Sequence, residues 1–487
     1  MSGIKQLFGQ TGIYGLGNIL PRFLNYLLTP LYTYLFTNPA DYGINAEVYA
    51  YISFLNIIFT YGMETAYFHF VNKSDEPQKI LNNSLSLILL TTTFFSLMLL
   101  LFSSDISKIL NYQNNLFVIW TIGIIATDAV MSIPFAYIRQ QQKPLYFSII
   151  KISNVLINIL LNLFFFLVCK KEYDAGHQNL FSKIYSPEIG IGYSFLSNLL
   201  SNVFSIIMLF PVWKNFHLSI DWKLSKKMLN YALPLLIVGL AGMINETFDR
   251  IVLKYLLPLE VAQSAQGIYG ACYKISILMT IFIQSYRYAA EPFFFKTFKN
   301  NDAKKMYALS TDVFIAFGLI IWLGTLINLP IIQYFIGPSY RIGLKVVPIL
   351  LTANLCLGIY FNLSFWYKLT GLTQIGAYVT LFGAFITLLI NFIFVPEYSY
   401  VASAYATLAA YGSMMLVAYF LGQKYFKIDY PYRRIFSNAC IAFLIYFVSI
   451  QLFHNNHHYQ LIVGNLFLIL FIVYLFKKYH PIIQQKN

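Results

Sequence analysis

The amino-acid sequence predicts an all-α integral membrane protein with about fourteen transmembrane helices. Three observations carry this. Of 487 residues, 58% are hydrophobic and only 11% are charged, where a soluble domain carries about 25% charged residues. Apolar runs of roughly 20 residues or more, long enough to cross a bilayer as helices, recur from end to end. Lys and Arg cluster in every second connection, as they do on the cytoplasmic side of membrane proteins. No polar stretch is long enough to form a separate soluble domain.

The spans cover residues 11–36, 46–70, 80–102, 115–138, 146–169, 189–213, 228–256, 263–291, 307–335, 343–366, 374–395, 401–421, 433–453 and 459–476. Met1–Phe8 lacks the compact apolar core and small-residue cleavage site of a secretory signal, so the first span is expected to be retained. Of the 33 Lys and Arg residues, 21 fall at the termini or in one alternating set of connections. Six (Lys108, Lys170, Lys171, Lys183, Arg341 and Lys345) fall in the other set, and six fall within spans. This bias places both termini in the cytoplasm and requires an even number of helices. It also accounts for the +14 formal charge without a nucleic-acid partner.

Polar residues within the spans follow helical spacing. The first span carries Thr11, Gly15, Asn18, Arg22, Asn25 and Thr29 on one face. Arg22 is too deep to snorkel and follows Pro21, a residue that kinks helices. The second span presents Tyr49, Asn56, Thr60 and Glu64. The fourth holds Asp128, the deepest lone acid and a candidate for ion coupling, and the fifth holds Lys151, Asn154, Asn158 and Asn162. In the seventh, Glu246 and Arg250 stand four apart and can pair, with Asp249 adjoining. The eighth carries Gln266, Tyr273, Thr280, Gln284, Arg287 and Glu291 on one face, with Lys274 beside it. Lys151, Lys254 and Arg287 lie near helix ends, where packing and snorkelling compete with a ligand role. Arg22, Lys274 and Asp128 suit a water-filled cavity better. Cations outnumber acids on these faces. That points to an anionic ligand, with Arg22, helped by Lys274 and Arg287, matched to phosphate.

The second half of the chain echoes the first. A shift of 220 residues lays Tyr49 on Tyr269, Asn56 on Ser276, Thr60 on Thr280 and Glu64 on Gln284. A shift of 229 pairs the segment from Asn162 with that from Asn391. The polar loop 170–188 is the expected insertion between the two registers. Six helices separate the halves, so the repeats are parallel, an arrangement common in transporters with the substrate site between the halves.

Cys169, Cys272, Cys356 and Cys440 all lie in apolar runs, so neither a disulfide nor a metal site is expected. His454, His457 and His458 fall in a short outer connection without acidic partners and read as solvated. His177, in loop 170–188, has no nucleophile or carboxylate constellation in the sequence. No catalytic residue and no cofactor is expected.

Three segments resemble the polysaccharide transporter (oligosaccharide flippase) family of the multidrug/oligosaccharidyl-lipid/polysaccharide exporter superfamily. They are "GLGNILPRFLNYLLTPLYTYLFTNPADYG", "IRQQQKPLYFSIIKISNVL" and "FDRIVLKYLLPLEVAQSAQGIYGACYKIS". The segment "NFIFVPEYSYVASAYATLAAYG" is similar too, but has Ser399 or Val401 where the family pattern has Gly. The resemblance implies two six-helix lobes, 1–225 and 226–422, plus two extra helices in 423–487. It also implies a V-shaped central cavity and alternating access in a bacterial inner membrane. The implied substrate is a polyprenyl-pyrophosphate-linked oligosaccharide of the O-antigen or capsule type. Expected partners are that lipid, membrane lipids and the polysaccharide polymerase or chain-length machinery. Under this reading Asn18, Arg22, Asn25, Lys151, Asn154, Lys274, Gln284 and Arg287 bind substrate. Glu64, Asp128, Glu246, Asp249, Arg250 and Glu291 couple ions or form ion pairs. Two rivals stand beside it. An ion-coupled multidrug or small-molecule exporter would favour acids and aromatics in its cavity, and a membrane polymerase or ligase would need a large outer catalytic loop.

Overall fold

The structure, a computed structural model, describes residues 15, 17, 19–214, 216–297, 303–451 and 457–484. Among these the chain is helical with no strand. Among the described residues, twelve helices are long and apolar enough to cross a membrane, and they take up the third to fourteenth predicted spans in turn, from Pro77–Leu101 to His458–Pro481. The fold is that of an all-α multi-spanning membrane protein.

The first two predicted spans are interrupted. Residues 19–26 are helical, Leu27 turns, and α1 (Leu28–Leu35) resumes. Pro30 has no N–H to offer the carbonyl of Tyr26, which breaks the ladder at this point. The second span divides into α2 (Pro39–Thr60) and α3 (Met63–Val71). Asn38 starts α2 by accepting the Ala40 N–H at 3.1 Å, with Pro39 in the first turn. Tyr61 (φ 35°) and Gly62 (φ 74°) end it in left-handed conformations. At Gly62 a Cβ would lie 2.9 Å from the Ala232 carbonyl, so glycine serves both the turn and the close approach.

The next helices are α4 (Pro77–Leu101), the short helix Ser103–Ile109, α5 (Leu116–Gln140) and α6 (Pro144–Leu163). A π-helical turn, Phe164–Cys169, carries α6 on into Lys170–Asp174. The expected loop 170–188 is thus partly helical. It includes a second helical turn, Leu180–Ile184, closed by a reciprocal Asn179–Ser182 capping box. His177 does meet a carboxylate here, with Nδ1 2.8 Å from Glu172 Oε2, in an exposed pair.

Then come α7 (Tyr193–Met208), α8 (Trp222–Leu256) and α9 (Leu259–Thr297). Asp221 caps α8 by accepting the Lys223 and Leu224 N–H groups, and Lys79 stands 3.1 Å away. The Leu224 N–H and the Lys79 ammonium hold the Asp221 carboxyl below the usual carboxylate range. The remaining long helices are α10 (Ala303–Ile327), α11 (Val347–Leu363), α12 (Thr373–Tyr398), α13 (Tyr400–Tyr425), α14 (Tyr432–Gln451) and α15 (His457–Gln484).

The chain forms two compact units, Met1–Gly267 and Ile268–Asn487. In the first, Met63, Tyr67, Leu85, Ile88, Ile133 and Met228 form one core cluster, and Val48, Phe59, Ile124, Ile125 and Phe195 another. Helix α8, which the sequence places at the start of the second repeat, packs on α2 and α3 in this unit. In the second unit α13 packs on α11 and α12, and α14 and α15 pack on α10. Outside these cores the spans turn large apolar side chains outward, among them Phe94, Leu101, Phe385 and Phe436. In water such a surface would aggregate, whereas in a bilayer it meets its own solvent.

The repeat has counterparts inside each unit. Asn56 of α2 donates to Asp128 of α5 at 3.1 Å, and Asn354 of α11 donates to Ser276 of α9 at 3.3 Å. Asn56 and Ser276 are the positions aligned by the 220-residue shift. Asn162 and Asn391, aligned by the 229-residue shift, are both fully buried. Each amide donates to the carbonyl four residues earlier, at 2.8 and 2.7 Å.

Candidate functional site

The polar faces of α2, α5, α6 and α7 meet in the first unit and form a lattice of amides around one acid. Both Asp128 carboxylate oxygens are engaged: Oδ2 by Asn56 and Oδ1 by Asn202 at 2.9 Å. Asn202 also donates to Thr127 at 3.0 Å and accepts from Asn154 at 3.1 Å. Asn154 reaches Ser205 at 2.9 Å. Higher on the same faces, Asn45 donates to Ser194 at 2.8 Å and Asn198 to Tyr49 at 3.0 Å. A second branch runs along α6. Asn162 accepts from Tyr32 at 2.7 Å and donates to Asn158, which donates to Asn25 at 3.2 Å. In hydrocarbon an unpaired amide is costly, so such ladders bind helices together.

Cations gather at the edge of this lattice. Lys151 is half-buried, with Nζ 4.1 Å from the centroid of the Phe135 ring, and it lies within electrostatic reach of Asp128, Arg139 and Arg22. Arg139 hydrogen-bonds Glu64 and lies over the Phe68 ring at 5.0 Å. Arg22 is exposed and pairs with no acid among the described residues. Three cations therefore share a neighbourhood with Asp128 and Glu64. Chemically, the group can hold an anion by charge while neutral amides next to it accept and donate hydrogen bonds.

Asn18 and the side chain of Glu291 lie outside the described residues. Asn25 is exposed, Lys274 and Gln284 are half-buried, and Glu246 is exposed. Asp249 is buried, and its Oδ1 accepts the Arg250 N–H at 2.8 Å. The Arg250 carbonyl accepts from Gln266 at 2.6 Å. In the second unit the Arg287 guanidinium stacks over Phe361 at 4.0 Å. Of the histidines expected in an outer connection, His454 lies outside the described residues and His458 is exposed.

Three features escaped sequence reasoning. Arg139 reads as a connection cation but belongs to the cluster. Lys254 reads as a snorkelling residue but is buried in an ion pair with Glu47 at 2.6 Å. Asp312 is buried as well, with Tyr479 donating to it at 2.6 Å and Arg434 Nε 2.6 Å away, an arrangement that ties α14 and α15 to α10. In each case the partner is far along the chain, so local spacing carries no signal for it.

The fold is one shared with solved membrane transporters. The solved structure of "Lipid II flippase MurJ, inward closed conformation" matches with a TM-score of 0.71 at 16% identity, over 96% of this chain and 99% of that one. An inward-facing multidrug resistance MATE family transporter of the MOP superfamily matches with a TM-score of 0.60 at 13% identity, over 85% of this chain and 94% of its own. An outward-facing conformation of a multidrug resistance MATE family transporter gives 0.58 at 11%, over 85% and 95%. No curated protein sequence matches. The chain belongs to the family described as "Polysaccharide biosynthesis protein", whose profile matches residues 8–298.

Proposed function

We propose that this protein is a flippase that moves a polyprenyl-pyrophosphate-linked oligosaccharide, an O-antigen or capsule-type repeat unit, across a bacterial inner membrane. Both termini are cytoplasmic, and the substrate travels from the cytoplasmic to the outer leaflet by alternating access of the two repeats, 1–225 and 226–422. Family membership supports the substrate class. The observation that carries the reading is the exposed Arg22 guanidinium, with Lys151 and Arg139 in the same electrostatic neighbourhood. An arginine exposed within a span faces water or a ligand, because facing hydrocarbon is costly. Arg22 and Lys151 bind the pyrophosphate, replacing hydration that the anion loses inside the membrane. Asn25 and Asn154 supply neutral hydrogen bonds beside it, and the lipid tail stays in the bilayer. A drug-exporter reading shares the fold with the MATE structures but is poorly served by this excess of cations.

The test is rescue of surface glycan in a flippase-null strain carrying the matching biosynthetic genes, with membrane protein levels measured alongside. Removing one charge-assisted contact costs about 1.5–3 kcal/mol, roughly ten- to a hundredfold in occupancy. Arg22→Ala should therefore abolish or sharply reduce glycan display at normal protein level. Arg22→Lys should rescue only in part, since an ammonium lacks the planar fork. Full rescue by Arg22→Ala would contradict the site.

A further inference from the structure

The most unusual charge arrangement that the lattice leaves unused lies where α2 begins and α8 ends. Glu47 is fully buried and the Lys254 side chain is 3% exposed. Glu47 Oε1 accepts both the Lys254 ammonium, at 2.6 Å, and the Tyr112 hydroxyl, at 2.9 Å. Lys254 also donates to the Leu110 carbonyl and lies over the Tyr112 ring. The second carboxylate oxygen, Oε2, is buried without a hydrogen-bond partner. The Tyr51 hydroxyl lies beside Glu47 and shares a hydrogen bond with the Tyr255 hydroxyl at 2.8 Å, in which either can donate. A buried carboxylate normally uses both oxygens, so this one carries a vacant acceptor.

One helical turn before Glu47 the chain makes a second close contact. A Cβ on Gly43 would stand 2.0 Å from the Gln263 carbonyl oxygen, and one on Gly267 would stand 1.9 Å from that of Pro39. The starts of α2 and α9 thus touch backbone to backbone, as only glycine allows. Gly43 and Glu47 belong to the first repeat of the sequence, and Lys254 and Gly267 to the second. Two independent contacts therefore fasten the repeats at the same helix ends. In the orientation proposed above, those ends face the outside.

We propose that Glu47 is a proton-binding site at the extracytoplasmic end of the protein, and that its protonation releases the clasp between α2 and α8. The inference rests on the orientation and alternating access proposed above. A proton from the outer aqueous phase adds to Oε2 and makes Glu47 a neutral acid; no other bond is made or broken. The groups facing Glu47 are Lys254 and Tyr255 from α8, Tyr112 from the segment before α5, and Tyr51 from its own helix. Of these only Lys254 is charged. With Glu47 neutral, the buried Lys254 ammonium keeps only neutral acceptors, Glu47 Oε1 and the Leu110 carbonyl, and one ring; it has lost its counter-charge and gains by moving into water. The end of α8 moves with it.

The test is hydrogen–deuterium exchange of the purified full-length protein in detergent, from about pH 8 to about pH 5, corrected for the intrinsic rate. Peptides covering 39–52 and 250–267 report the clasp. In the wild type their protection should fall by about a hundredfold on acidification, the scale of breaking a buried pair. Glu47→Gln should show low protection at every pH. The matched neutral pair, Glu47→Gln with Lys254→Met, leaves no charge unpaired. It should insert, keep its protection and ignore pH. Protection in the wild type that does not change with pH would overturn the proposal, as would a pH response that survives in the neutral pair. Exchange needs no glycan, so a wild type that shows the pH response but displays no glycan would count against the flippase reading and leave the proton site standing.

Discussion

Arg22 and Asp128 show two ways in which a polar side chain persists inside a membrane protein. Arg22 stays exposed, which is tolerable in a span only next to water or a ligand. Asp128 takes the opposite course, spending both oxygens on Asn56 and Asn202. Replacing it by Asn puts an NH2 where one of those amides donates, leaving donor against donor. Asp128→Asn should destabilise the protein by about 1–3 kcal/mol, read as a lowered thermal unfolding midpoint in detergent. An unchanged midpoint would show that the lattice does not depend on this acid. The polar stripe of α6 was legible, since Asn154, Asn158 and Asn162 repeat at helical spacing. The Glu47–Lys254 pair was not, since its members stand 207 residues apart and neither has a local partner.

At the scale of elements, the junction between α12 and α13 is strained. Ser399 is its only residue, held at φ 54° and ψ −143°, a region that favours glycine. Ser399 is one of the two positions at which the resemblance leads to an expectation of Gly. Ser399→Gly should raise stability by about 1–2 kcal/mol, seen as a higher unfolding midpoint; a lower midpoint would mean that the serine makes up for its backbone in another way. The third to fourteenth spans were legible because twenty apolar residues in a bilayer have few alternatives to a helix. The breaks in the first two were not, because hydropathy does not register a missing N–H at Pro30 or a left-handed pair at Tyr61 and Gly62. The helical turns within 170–188 were hidden in the same way, being made by capping rather than by apolar pattern.

At the scale of the molecule, the Lys and Arg distribution fixes an expected orientation. Tags at 223 and 480 should be reached from the cytoplasm, and tags at 178 and 456 from the outside. Accessibility labelling that finds 178 and 480 on one side would overturn the fourteen-span topology. Packing assigns α8 to the first unit, where the sequence expects it to begin the second repeat. The measurement that bears most directly on the central claim is transport by the purified protein alone. Proteoliposomes would be loaded with a polyprenyl-pyrophosphate-linked oligosaccharide, and the glycan exposed on each face followed with a membrane-impermeant sugar-modifying reagent. The account predicts that the inner-leaflet pool becomes accessible in wild-type vesicles, and does so ten- to a hundredfold more slowly with Arg22→Ala. Wild-type vesicles that expose no more glycan than protein-free ones would contradict it.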